Sequence, residues 1–394
     1  MKITEVVNRS GLLLNEAKSR IDHPEDIVFD ENGVAGAARA LAAIEHAISN
    51  HSTTTTIKWD GSPAVIFGWL DRDNFVVTDK AGIGAKKYNG KPTSADDLTA
   101  MIYSRKPDQP GRAEYAAKFG SVYELLKKIT PKSTVGKLFQ GDMLWMGPEN
   151  LLVDNNTVSF KPNKIKYSFD LGEDLGQRIK KSVAGIVVHG VYDDVDTAAD
   201  ATGEPTPTTP AANKLLGNSK IIVFGPETQI PANKKIKKPK AEIESLRNLI
   251  KSPAAAEIDN MLDPYTIGTI KISNFPDLFK SFINAKARTG KEIDNNAPVE
   301  FVNWIKSTQS GLTANKQQNV LAHIQQYQRA FEAAWRITIG LSELKHSVKE
   351  QLDRLAAQHS GGMKTAGGHE GYVAATPHGK IKFVNRPAFM KKED

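Results

Sequence analysis

Lys58-Trp59-Asp60-Gly61 closes a β-branched run and precedes Ser62-Pro63, which sets an amine and a carboxylate two residues apart at the end of an expected strand. A lysine held between a sheet and a glycine turn can act as a nucleophile toward phosphorus. It must first lose its proton, and nearby cations and desolvation both lower an amine pKa. The same tetrapeptide also fits a plainer reading, a lysine that ends an edge strand and discourages aggregation. Phe139-Gln140-Gly141-Asp142 puts a carboxylate at the end of a second strand, and Glu370-Gly371-Tyr372-Val373 opens a late hairpin with another. Lys380-Ile381-Lys382 then sets two lysines on one face of the returning strand, because strand side chains alternate with period two. One amine, two carboxylates suited to a divalent cation or a ribose, and two lysines suited to phosphate form a coherent nucleotide-phosphate site.

The elements that must position these groups follow from periodicity. The first 50 residues read as helical, with Val6, Leu12, Leu13 and Ala17 and then residues 37–48 forming apolar faces. From residue 53 the chain turns β-branched and aromatic, broken by Gly, Pro and an Asp-Arg-Asp-Asn turn, and reads as antiparallel strands. A helical stretch over 113–129 separates these from the strand LFQGDMLW, and further strands are expected at 157–160, 165–169 and 185–192. Residues 193–240 are acidic, then Thr/Pro/Ala-rich, and carry too little apolar surface to fold alone; KIIVF (220–224) interrupts them and KKIKKPK ends them. That basic run fits a solvated linker or a nucleic-acid contact.

From 241 to 359 the pattern is helical, with Leu246/Leu249/Ile250, Phe275/Leu278/Phe279/Phe282 and Val299/Val302/Ile305 at three- and four-residue steps. Tyr327, Phe331 and Trp335 fall four apart and read as a core stripe. The chain returns to strands after SGGMKTAGGH, and because two isolated strands are only marginally stable the final hairpin is expected to rejoin the first sheet.

Composition closes other routes. The 394 residues contain no cysteine, which excludes a disulfide framework, thiolate metal sites and a cysteine nucleophile. The 52 Lys+Arg against 45 Asp+Glu leave a formal charge of +7, which suits either a polyanionic partner or ordinary solubility. No apolar run approaches the ~20 residues of a membrane span, and the start lacks a secretory pattern, so a cytoplasmic protein with no membrane association is expected. KAGIGAKKYNG (80–90) matches neither phosphate-loop pattern and reads as a loop that could touch phosphate. His189, in an apolar strand, reads as a core histidine. The nine histidines show no H-x-x-x-H spacing, and no G-x-S-x-G elbow is present.

The ordered set resembles the covalent nucleotidyltransferase superfamily of DNA ligases, RNA ligases and mRNA capping enzymes. Its first motif, K-x-D-G, is matched by Lys58, Asp60 and Gly61; its third, a strand ending in Gly-Glu, by Gly141 with Asp142 in place of Glu. Its fourth, Glu-Gly-apolar-Val, is matched by Glu370 to Val373, and its fifth, Lys-x-Lys, by Lys380 and Lys382. The resemblance covers roughly residues 53–192 and 361–390. It implies an α+β fold: an antiparallel-sheet, ATP-grasp-like ligase domain over 1–195 and 361–394, a mobile linker over 196–240 and an inserted helical domain over 241–360. Only 12 residues follow Lys382, so no C-terminal OB-fold is expected, which is more similar to RNA ligases, including those of large bacteriophages.

The resemblance further implies ATP with Mg²⁺ or Mn²⁺, and a covalent Lys58-AMP intermediate formed with help from Asp60, Lys380 and Lys382. Glu370 and Asp142 would hold metal or ribose. Ile57, Gly61 and an aromatic, Tyr192 or else Phe169, would contact the nucleotide. The expected partners are RNA or DNA ends or nicks, RNA before DNA. Pro63 stands where the family often has Arg, which leaves open another acceptor, such as a capped end. A non-enzymatic, nucleic-acid-binding scaffold is the alternative outside enzymology, and the oligomeric state is left open.

Overall fold

The computed structural model describes residues 21–30, 33–199, 215–216, 219–225, 230, 233–263, 275–359, 363–365 and 370–390. The expected helix within residues 1–20, most of the Thr/Pro/Ala segment and most of SGGMKTAGGH lie outside the described residues. The strands are β1 (Thr55–Lys58), β2 (Ala64–Trp69), β3 (Phe75–Thr78), β4 (Leu138–Met146), β5 (Leu151–Val153), β6 (Thr157–Phe160), β7 (Tyr167–Asp170), β8 (Ala184–Tyr192), β9 (Ile221–Phe224), β10 (Met363–Thr365), β11 (Gly371–Thr376) and β12 (Gly379–Val384). They form a three-stranded sheet β1-β11-β12, a four-stranded sheet β10-β7-β6-β5 and a five-stranded sheet β3-β2-β4-β8-β9. The protein is α+β, and the chain divides into two compact units whose boundary falls between Lys58 and Trp59.

The first unit comprises residues 59–225 with β10. Alternation puts Val65, Phe67 and Trp69 of β2 on one face of the five-stranded sheet, with Phe75 and Val77 beside them. There they pack against Leu98, Ile102, Phe119, Tyr123 and Leu126 from the helices Ala95–Ser104, Arg112–Ser121 and Tyr123–Ile129. The opposite face carries a smaller cluster of Ile66, Val76, Ile83, Leu138 and Tyr192. The KIIVF segment is not a strand isolated in a loop: β9 pairs in parallel with β8, Ala184 opposite Ile221. The four-stranded sheet contributes Phe160, Tyr167 and Phe169 to an aromatic cluster with Trp59, Trp145 and Phe224.

The second unit comprises residues 21–58, 230–359 and 370–390. Its central element is the helix Gln328–His359, and its aromatic core gathers Phe29, Phe275, Phe279, Phe301 and Trp335. Phe331 and Trp335 are buried as the stripe requires, whereas Val299 is 65% exposed, because the helix Ala297–Lys306 turns Phe301 and Ile305 inward instead. The helix Gly33–Thr54 presents Ala37, Ala40, Leu41, Ile44, Ala47 and Ile48 as a buried face. It packs on β11 and β12 as well as on the long helix.

The helical segment therefore does not stand apart as an inserted domain. It shares a core with the N-terminal helix and the final hairpin, since amphipathic helices need an apolar face to cover. The hairpin does rejoin the strand preceding Trp59, but in a sheet separate from that of β2 and β4. No helix among the described residues is long and apolar enough to cross a membrane.

Candidate functional site

Register assembles the first set of groups. In the three-stranded sheet Lys58 lies opposite Gly371, which lies opposite Val384; Thr56 lies opposite Val373, which lies opposite Lys382; and Ala375 lies opposite Lys380. Directly opposed residues share a face, so Lys58, Lys380 and Lys382 all stand on one side of the sheet. The other side, formed by Ile57, Tyr372, Ala374, Ile381 and Phe383, is buried. Ile57 consequently belongs to the core of this unit and faces away from Lys58, which removes it as a nucleotide contact. Two strand spacings, roughly 10 Å, separate β1 from β12. Along the strands, Lys382 and Lys380 are offset from the Lys58 row by two and four residues, roughly 7 and 13 Å. The row between them is floored by Gly371, Val373 and Ala375, so little side-chain bulk intervenes.

Glu370 sits one residue before β11 and makes an ion pair and hydrogen bond with the Lys58 Nζ, although the two are 312 residues apart in the chain. The Glu370 side chain is 11% exposed and that of Lys58 34%. Gly371 beside it has to be glycine: an added Cβ would meet the Phe383 carbonyl oxygen at 2.1 Å. The Glu-Gly pair thus joins a charged partner for Lys58 to a position where two strands approach too closely for a side chain. The outer edge of β12 is held by Asp22, whose carbonyl accepts from the Lys382 N–H at 3.0 Å.

The second set lies in the first unit and reads differently. Asp60 is buried, and its carboxylate accepts from Asn163 Nδ2 at 2.9 Å, Lys164 N at 2.5 Å and Ile165 N at 2.8 Å, while its own N–H donates to the Tyr167 hydroxyl at 2.8 Å. Asp60 is a clamp for the 161–166 loop, and with three donors on its two oxygens it is not placed to orient an amine or a metal-bound water. Gly61 packs on Asp142, where an added Cβ would lie 2.4 Å from the Asp142 Cβ.

Asp142 is paired: His189 Nε2 lies 2.9 Å from Asp142 Oδ2, with the two side chains 29% and 22% exposed. His189 reaches this position because Gln140 opposes Gly190 and Gly141 opposes Val188, leaving His189 as the extra residue of a β-bulge. A bulge re-aims a side chain, and nothing in the local sequence marks one. The reading of His189 as a satisfied core histidine misses this partly buried pairing with Asp142.

The aromatics expected to stack on a base are spent on packing. Tyr192 is 1% exposed, lies against Ile66, Val76 and Leu138, and donates its hydroxyl to Gln140 Oε1 at 2.8 Å. Phe169 is buried and stacks on Phe160 with centroids 5.9 Å apart. Neither ring has an accessible face. No group of three or more His, Asp or Glu side chains able to hold a metal ion occurs among the described residues. Mg²⁺ that accompanies a bound polyphosphate commonly takes few protein ligands. Glu370 is the carboxylate on the lysine-bearing face that could serve it.

Fold and site define the class: an α+β protein of two compact units, with a lysine–glutamate pair and two further lysines gathered on one sheet face. The chain belongs to DUF6267, a family of unknown function, which it matches over residues 18–393. No curated protein and no solved structure matches it.

Proposed function

We propose that the protein is a covalent nucleotidyltransferase of ligase type, using ATP and joining polynucleotide ends, with RNA preferred over DNA. What supports this reading above all is that Lys58, Lys380 and Lys382 stand on one face of one sheet while Glu370 pairs with Lys58. An edge-strand lysine that merely deters aggregation has no need of a buried carboxylate 312 residues away.

In this reading the neutral Lys58 amine attacks the α-phosphorus of ATP. A P–N bond forms, the P–O bond to pyrophosphate breaks, and pyrophosphate leaves with the electron pair. The Lys58 proton has to depart beforehand, and the Glu370 carboxylate in contact with Nζ is the acceptor at hand. Lys380 and Lys382 offset the negative charge that builds on the phosphoryl oxygens, where a preorganised cation accelerates most. Glu370 would also hold a divalent ion, which supplies charge neutralisation on the phosphates. AMP would then pass to a 5′-phosphate, and a 3′-hydroxyl would displace it.

The test is denaturing-gel retention of label from each of the four α-labelled triphosphates, with Mg²⁺ or Mn²⁺ present. Wild-type protein is expected to retain label from ATP and Lys58→Ala none. Lys382→Ala should label on the order of 10²–10³-fold more slowly. Labelling from GTP instead would move the reading to capping-type transfer. No label with any triphosphate, or equal labelling of Lys58→Ala, would remove the covalent mechanism.

A further inference from the structure

Asp79 follows β3 and caps a short helical turn, Lys80–Ile83, accepting from Gly82 N at 2.7 Å. The loop beyond is tied back onto that turn. Thr78 Oγ1 donates to the Gly90 carbonyl at 2.6 Å, and a Cβ added to Gly90 would meet the Gly82 carbonyl oxygen at 1.8 Å. Pinned at both ends, the loop presents its middle to solvent. Lys86, Lys87 and Asn89 are exposed, and Tyr88 is 43% exposed. Neither Lys86 nor Lys87 is ion-paired among the described residues.

The surface extends from the loop onto neighbouring helix ends. Arg105, just past the helix Ala95–Ser104, is salt-bridged to Asp79 at 2.5 Å, and its guanidinium lies 5.1 Å from the centroid of the Tyr88 ring. Arg112 lies over the Tyr115 ring at 5.2 Å, and its Nε donates to the Ile102 carbonyl at 2.8 Å. Burial raises the Tyr115 phenol pKa, and Arg112, Asp79 and Arg105 act on it electrostatically. The Asp79 carboxylate is engaged by Arg105 and by Gly82 N.

An exposed tyrosine backed by an arginine and flanked by two lysines without an ion pair among the described residues suits a flexible polyanion with accessible flat rings. We propose that this surface, built by the loop at 84–89 and buttressed by Arg105 against Tyr88, binds single-stranded nucleic acid. A base stacks on the exposed face of Tyr88, and backbone phosphates meet Lys86 and Lys87. Every base has a π-face, so such stacking tolerates any sequence. A duplex keeps its bases stacked inside and cannot offer them to an exposed ring, which selects the single strand. The surface lies wholly within the first unit and requires nothing of Lys58, so it goes beyond the nucleotidyl-transfer reading and stands or falls separately.

Fluorescence anisotropy of the full chain with labelled oligonucleotides of about 20 nucleotides, RNA and DNA, single-stranded and duplex, tests this. Single strands are expected to bind at least about tenfold more tightly than the duplex. Tyr88→Ala should weaken binding roughly 5- to 100-fold while Tyr88→Phe stays near wild type, since the ring and not the hydroxyl stacks. Lys86→Ala combined with Lys87→Ala should reduce the slope of log affinity against log salt by about 1.4. Binding is read without any triphosphate, which separates this surface from the labelling experiment. Absence of single-strand binding, equal affinity for duplex, or an unchanged Tyr88→Ala would overturn the proposal.

Discussion

Asp60 and Lys58 are two residues apart in one motif, yet their side chains do different work. The Asp60 carboxylate is buried and answers three donors from the 161–166 loop, so its loss strands two backbone N–H groups away from water. Lys58 has a single carboxylate partner and a third of its side chain exposed, so its removal disturbs packing little. Asp60→Ala is therefore expected to lower folding stability by about 3 kcal/mol, measured by urea unfolding, while Lys58→Ala changes it by less than about 1 kcal/mol. Equal effects would contradict this division. The sequence singled out both residues; it did not show which was structural, because Asn163, Lys164 and Ile165 carry no signal that links them to position 60.

The three-stranded sheet rests on a register that local sequence only half specifies. Alternation in GYVAAT and KIKFV announces which residues share a face within each strand, and so placed Lys380 with Lys382. Pairing with β1, some 300 residues away in the chain, decides that this face is also that of Lys58. Gly371 is where the strands come closest, and Gly371→Ala would force its methyl against the Phe383 carbonyl oxygen at 2.1 Å. The expected cost is about 2 kcal/mol, read as a lowered denaturation midpoint. It should be accompanied by loss of nucleotide labelling, because Glu370 would shift with the strand. An unchanged midpoint would show that the hairpin is not held at this register. The bulge at His189 belongs to the same scale: one extra residue in β8 converts an apparent core histidine into the partner of Asp142.

Across the second unit, a buried ionic network draws together segments from both ends of the chain. Glu25 pairs with Lys345 at 2.6 Å on the long helix, and Arg386 pairs with Asp26 at 2.6 Å while lying 3.5 Å from Glu25. Burial pushes the Glu25 carboxyl up, but Lys345 and Arg386 outweigh it and bring the pKa down from 4.5 to about 2. A carboxyl depressed in the folded state adds stability above its unfolded pKa, and that stability disappears as pH falls through the folded value. Wild-type protein should therefore lose urea stability progressively between about pH 4.5 and pH 2. Glu25→Gln should be less stable by about 3 kcal/mol near neutrality and flatter across that window. An acid profile identical in wild type and Glu25→Gln would show that the network is not the seat of the transition. Buried ion pairs add little net stability over apolar packing, so their use here fits a role in fixing which segments meet.

The sequence by itself determined the α+β class, most strand and helix positions, the aromatic core of the helical segment and the identity of the residues around Lys58. These follow from periodicity and turn chemistry, which are local. Only tertiary structure decided that Asp60 clamps a loop, that Tyr192 and Phe169 are buried, that His189 meets Asp142, and that the chain divides at Lys58/Trp59 with the helical segment and the final hairpin in one unit. Each of these depends on contacts between residues scores to hundreds apart in the chain. Such contacts are set by which apolar faces can cover one another, and no single segment carries that information.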